Sequence, residues 1–150
     1  MDTITSFLTE DHRYADTLFA AATEAAAKGA WRECGEHLVR FRAALESHMK
    51  IEEEVLFPAF EQATGIDAGP TAVMRSEHQQ LLKALDAINT ARVASDAQQY
   101  GSLAHSFLDL LNMHSAKEET VLYPMCDRLV TSLSGEKVRQ MLQQLRTATS

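Results

Sequence analysis

The stretch His48-Met-Lys-Ile-Glu52-Glu53-Glu54-Val-Leu-Phe-Pro58 returns later in the chain as His114-Ser-Ala-Lys-Glu118-Glu119-Thr-Val-Leu-Tyr-Pro124. The offset is 114 − 48 = 66, and the same step carries His12 to His78. One register shift therefore pairs four histidines and two glutamates, and an internal repeat governs how the rest of the chain is read. With six histidines in 150 residues, two independent matches at one offset make chance a poor explanation. The chain reads as two copies of a helix pair that meet around one metal centre.

Outward from these segments, helix formers dominate, and three prolines and six glycines are all that interrupts them. Thr3 or Thr5 can cap a first helix that carries Phe7, Leu8, His12, Ala15, Phe19 and Ala22 at helical spacing. Lys28-Gly29-Ala30 ends it. A second helix turns Leu38, Phe41, Leu45, His48, Glu52 and Val55 inward and stops by Thr64-Gly65. Gly69-Pro70 opens a third, because proline suits the first helical turn; Val73, Met74, His78, Leu81, Leu82 and Leu85 line its buried face. Ser95-Asp96 caps a fourth, with Leu103, Phe107, Leu110, Leu111, His114, Glu118, Val121 and Leu122 in phase. Ser134-Gly135 separates a tail helix of about 136–146. No alternating β-branched stretch argues for a strand. Short connections favour antiparallel neighbours, so the expected fold is all-α: an up-down-up-down four-helix bundle with a short C-terminal helix. The expected organisation is a single domain over 1–150, with helix pairs at about 3–64 and 70–133. Pro58 and Pro124 each follow their histidine by ten residues. They predict a kink or break in both helices, an architectural device apart from the site.

Bulk properties narrow the function classes. The net charge is −7, and no cluster of lysine or arginine offers a face for nucleic acid or an anionic membrane. The N-terminal segment lacks the basic and apolar regions of a signal peptide. No apolar run approaches the ~18 residues that span a bilayer. Cys34 and Cys126 are too few for a disulfide framework, so a reducing cytoplasm is the expected compartment and both thiols are expected to pack as small hydrophobes.

The chemistry lies in the repeat. His48 with Glu52, and His114 with Glu118, stand four residues apart, which stacks each pair one turn apart on one helix face. Leu45 and Val55, and Leu111 and Val121, share that face, so the pairs point into the core. A charged glutamate there is costly unless compensated, and no lysine or arginine falls at the right phase. A metal compensates it. His12 and His78 sit among apolar neighbours on the partner helices and complete the set His12, His48, Glu52, His78, His114, Glu118, a binuclear site. Imidazole with carboxylate suits iron, manganese, zinc or copper, and two carboxylates between two histidine pairs suit bridging; iron is the first choice. His105 is expected on the solvated surface and His37 in the core or at a bundle end. Glu53 and Glu54 read as a solvated face, and Tyr14, Tyr123 and Trp31 as packing residues.

These residues resemble the hemerythrin-like, HHE cation-binding family. The resemblance rests on the histidine of Asp11-His12-Arg13, on His48-x-x-x-Glu52, on Glu77-His78 and on His114-x-x-x-Glu118. It implies a four-helix bundle holding a non-haem di-iron centre with both carboxylates bridging. Oxygen-carrying members have a further histidine one turn before the third-helix ligand, where this chain has Met74. They also have an aspartate five residues after the last histidine, where Glu119 stands behind Glu118; the repeat selects Glu118. The ligand set is more similar to that of bacterial iron-centre repair proteins linked to nitric oxide stress. Those carry a cysteine-bearing N-terminal domain that this chain is expected to lack. The expected function is binding of, or reaction with, O2, NO or peroxide at two iron ions, in sensing or stress response. The alternative is iron buffering or oxygen binding without turnover, and a metal-stapled structural bundle ranks last. Enzymatic turnover stays open, and an oligomer is compatible with the sequence.

Overall fold

A computed structural model describes residues 3–149, and all regular structure among them is helical. Helix α1 (Ile4–Ala27) starts at Thr3, whose hydroxyl accepts from the Ser6 amide while the Ser6 hydroxyl accepts from the Thr3 amide, so two orphan donors are satisfied reciprocally. Asp127 clamps the same end by accepting from the Ile4 and Thr5 amides at 2.8 and 3.0 Å. Helix α2 (Trp31–Ile51) runs through a π-helical turn, Glu52–Leu56, into α3 (Phe57–Thr64), which Gly65 ends in the left-handed conformation. Helix α4 (Pro70–Val93) begins at the expected proline. Helix α5 (Ala97–Lys117), capped by Asp96 on the Gln99 amide, passes through a second π-helical turn, Glu118–Leu122, into α6 (Tyr123–Leu129). Helix α7 (Gly135–Thr149) outruns its expected bounds at both ends. No helix among the described residues is long and apolar enough to cross a membrane.

Where the sequence predicts a kink or break, each helix continues through a π-helical turn placed just before its proline. A proline lacks the amide and its ring crowds the carbonyl four residues back. The chain answers with a wider turn: the Phe57 amide bonds to the Glu52 carbonyl and the Tyr123 amide to the Glu118 carbonyl, each five residues back. The extra residue in the turn shifts the downstream register. Leu56 and Leu122 are buried, Val55 is only half-buried and Val121 is exposed, so the inward assignment of both valines is corrected. Val73, also expected inside, is exposed as well. The widened turns begin on the candidate ligands Glu52 and Glu118, so the prolines are not apart from the site.

Apolar side chains form two clusters. One holds Phe19, Phe41, Leu45, Leu81, Phe107 and Leu111. The other holds Leu8, Leu56, Phe57, Met74, Leu122 and Leu142. His12 in α1 and His78 in α4 stand between residues of one cluster and residues of the other, and His48 in α2 and His114 in α5 stand where the first cluster runs out. A polar layer thus lies between two dry ones, and Cys34 and Cys126 are free and buried within the apolar clusters.

Candidate metal centre

All six predicted residues converge on this layer and all are buried, with Glu52, His78 and Glu118 fully so. They form two groups, His12, His48, Glu52, Glu118 and Glu52, His78, His114, Glu118. Within each group one ligand-type atom per residue lies within 4.8 Å of every other. Both glutamates belong to both groups. Glu52 turns Oε2 to His48 Nε2 at 3.3 Å and Oε1 to His78 Nε2 at 3.0 Å. Glu118 Oε1 lies 3.2 Å from His12 Nε2 and 3.4 Å from His114 Nε2.

The orientation of the imidazoles is set from outside. Nδ1 donates to Glu119 from His12 (2.7 Å), to Asp11 from His48 (2.8 Å), to Glu53 from His78 (2.6 Å) and to Glu77 from His114 (2.7 Å). A carboxylate only accepts, so each Nδ1 keeps its proton and each Nε2 turns toward the centre, the arrangement that metal-binding histidines adopt. The outer acids keep the sequence offset: Glu53 and Glu119 differ by 66, and so do Asp11 and Glu77. The expectation that Glu53 is solvated is therefore corrected: it is half-buried and anchors His78. Glu54 is exposed, as expected. Glu119 is an outer acid, held also by Arg13 at 3.0 Å, while Glu118 takes the inner place.

Tyr123, expected to be packing, belongs to the site. Its hydroxyl donates to Glu52 Oε2 at 2.5 Å and lies 3.0 Å from Glu118 Oε1, 3.1 Å from His48 Nε2 and 3.2 Å from His12 Nε2. In an α-helix a residue five places after Glu118 points about 140° away from it; the π-helical turn brings it back. The matching residue, 123 − 66 = 57, is Phe57. Tyr123 stacks on His12 at 5.7 Å and Phe57 on His78 at 5.8 Å, so the two halves share a shape and differ by one hydroxyl. Met74 is buried in the apolar cluster below. His105 is exposed and His37 half-buried, both away from the polar layer.

Electrostatics place positive charge where a cation would sit. Burial disfavours imidazolium at His48, but the Glu52 charge and the Asp11 hydrogen bond override it and hold His48 well above the usual range. The same opposition, burial against Glu118, Glu52 and Glu77, leaves His114 at about 9. His78 is raised against its burial by Glu52 and Glu53. Glu52, which burial alone would push up, is held well below the carboxylate range by His48, Glu118 and His78. Burial, with Glu118 and Glu52 beside it, pushes the Tyr123 phenol well up. In the metal-free chain, protons on His48, His78 and His114 offset the buried charge of Glu52. Even so, Glu118 Oε2 has no hydrogen-bond partner among the described residues, and Glu52 Oε1 and His78 Nε2 face only each other, at 3.0 Å. Buried acceptors aimed inward without donors are what a site for cations requires.

A helical bundle with two histidine-carboxylate groups at its centre defines a class, the bundle metal proteins. The family follows: the chain matches the Hemerythrin HHE cation binding domain over residues 3–126 and belongs to that family. It is 33% identical over 99 residues to the iron-sulfur cluster repair protein YtfE of Escherichia coli O157:H7, covering 59% of this chain and 44% of that protein. It is 32% identical over 99 residues to the protein of the same name from Salmonella paratyphi B, with the same coverage. The chain thus spans less than half the length of these relatives. No solved structure matches it significantly.

Proposed function

We propose that the chain is a non-haem di-iron protein that binds or reacts with O2, NO or peroxide in stress response or sensing. His12 and His48 would hold one ion and His78 and His114 the other, with Glu52 and Glu118 shared by both. The observation that carries this reading is the pair of four-residue groups sharing two buried carboxylates, with every Nε2 directed inward. Iron, when bound, would supply a redox-active centre with coordination positions left over for a small ligand. The protein's part is to hold the imidazoles in one tautomer through Nδ1, to seal the layer between two apolar clusters, and to present the Tyr123 hydroxyl as the one phenolic donor. A cavity of roughly 10 Å3, bordered by Asp11, His12, Ala15, Leu45, His48 and Leu111, reaches the His12–His48 side. That is room for about one water, which favours ligands of diatomic or peroxide size.

The similarity to iron-sulfur cluster repair proteins supports a stress-related role, and repair itself remains a property of those longer relatives. The reading includes the up-down-up-down four-helix topology, the second helix pair repeating the first, one domain across 1–150, and a cytoplasmic location for the free thiols. The test is an absorption spectrum of the iron-loaded protein before and after dithionite, O2, NO and peroxide. Reversible changes with at least one of the three ligands are expected; a spectrum indifferent to all three would refute the ligand reading.

A further inference from the structure

Three of the four outer acids, Asp11, Glu77 and Glu119, are themselves held by cations, and one of those cations comes from an unexpected place. Glu77, which orients His114, is paired with Lys117 from the neighbouring helix α5. Asp11, which orients His48, is gripped by Arg146 of the tail helix α7. Arg146 lies beyond the 3–126 span matched by the family. Its Nη1 donates to Asp11 Oδ1 at 2.8 Å and its Nη2 to Oδ2 at 2.9 Å, a two-pronged contact that fixes the plane of the carboxylate. Nε donates to Ser47 Oγ at 2.9 Å, Nη2 also to the Ala44 carbonyl at 3.2 Å, and the guanidinium stands 5.7 Å over the Tyr14 ring. Asp11 Oδ2 therefore receives both Arg146 Nη2 and His48 Nδ1.

We propose that the tail helix is a working part of the metal centre. Arg146 acts as a positioning residue: through Asp11 it fixes the ring of His48 and so sets how tightly the His12–His48 group holds its ion, while the His78–His114 group is served separately. This rests on the reading that the two groups hold metal. The physical chain is short. Rotation of Asp11 about its own side-chain bonds would swing Oδ2 away from His48, and the guanidinium fork blocks that rotation, as a single-point ammonium would not. The counterpart of Asp11 is Glu77, one methylene longer and held by a flexible lysine, so the two ions differ in the stiffness of their support. Docking of α7 has anchors of its own: Val138 and Leu142 are buried in the lower cluster, and Arg139 stands 4.8 Å over the Phe7 ring. A change at Arg146 therefore leaves the rest of the helix seated.

Zinc serves as a diamagnetic probe in the full chain, with histidine labelled by nitrogen-15. The wild-type protein is expected to take up two zinc ions and show four protected Nδ1–H signals. Arg146→Gln should move the His48 signal and speed its exchange with water. It should also make one of the two zinc ions about tenfold easier to remove with a chelator. Arg146→Lys should recover part of the affinity, and Lys117→Gln should disturb His114 instead. Four unchanged signals in Arg146→Gln, or equal weakening of both zinc sites, would reduce Arg146 to a docking contact and overturn the inference. A wild-type chain that binds fewer than two zinc ions would overturn the metal reading itself, and the inference with it.

Discussion

Replacing Tyr123 by phenylalanine isolates one hydroxyl at the centre of the polar layer. Phe57 already fills the matching position in the other half, with nearly the same stacking distance on its histidine, so the ring itself fits. The hydroxyl donates to the fully buried Glu52 and lies against Glu118. A hydrogen bond to a charged group contributes about 1.5–3 kcal/mol. His48 Nε2 remains 3.3 Å from the same Glu52 oxygen, which points to the lower part of that range. We expect Tyr123→Phe to destabilise the metal-free protein by about 2 kcal/mol, a fall in melting temperature of roughly 4–8 °C for a chain of this size. In the loaded protein a cation satisfies the same carboxylate oxygens, so the loss should fall below about 1 kcal/mol. Urea unfolding of both forms, wild type against variant, gives the comparison. An equal loss in both forms, or none in the metal-free form, would refute the placement of the hydroxyl among the candidate ligands.

Four further outcomes are expected. His48→Ala and His114→Ala each leave a buried carboxylate under-compensated, so both should lose metal and about 3–5 kcal/mol of stability. His105→Ala, on the exposed surface, should match wild type in metal analysis and unfolding. Glu53→Gln weakens the anchor of His78 and should lower metal affinity by about 10–100-fold in a competition titration. The metal-free protein should also lose stability as pH rises. His114 has a folded value of about 9 against about 6.5 unfolded. Its proton is held more tightly in the folded state, so the contribution is complete below pH ~6.5 and gone above about 9. The size is about 3 kcal/mol at 1.36 kcal/mol per unit, with His48 and His78 adding in the same direction. Metal takes the place of those protons, and the loaded protein should show no such decline in denaturant titrations across that window.

The helices and the six inner residues were legible in the sequence because both depend on α-periodicity. His48 and Glu52, or His114 and Glu118, share a face at four-residue spacing, and the offset of 66 identified their partners. What was missed lies where that periodicity stops. The prolines impose a wider turn on the residues just before them, and from Glu52 and Glu118 onward an α-helical count assigns the wrong faces. That count turns Val55 and Val121 inward and leaves Tyr123 reading as a packing residue. The outer acids failed to register for another reason. Asp11, Glu53, Glu77 and Glu119 neighbour a candidate ligand in sequence, and a charge at a helix surface ordinarily reads as solvated. Their shared offset was the signal available: Glu53 and Glu119 obey the same repeat as the histidines, as do Asp11 and Glu77. Arg146 had no such signal, since it lies outside both copies and reaches Asp11 only through the packing of α7.

The central claim is that two metal ions share Glu52 and Glu118 between four histidines. Metal analysis of the protein loaded anaerobically with ferrous iron, per chain and after removal of loosely held ions, tests it most directly. The account predicts two irons in the wild type and a loss of both in a Glu52→Ala Glu118→Ala double variant that still folds by circular dichroism. A single iron per chain, or two that survive the double substitution, would contradict it.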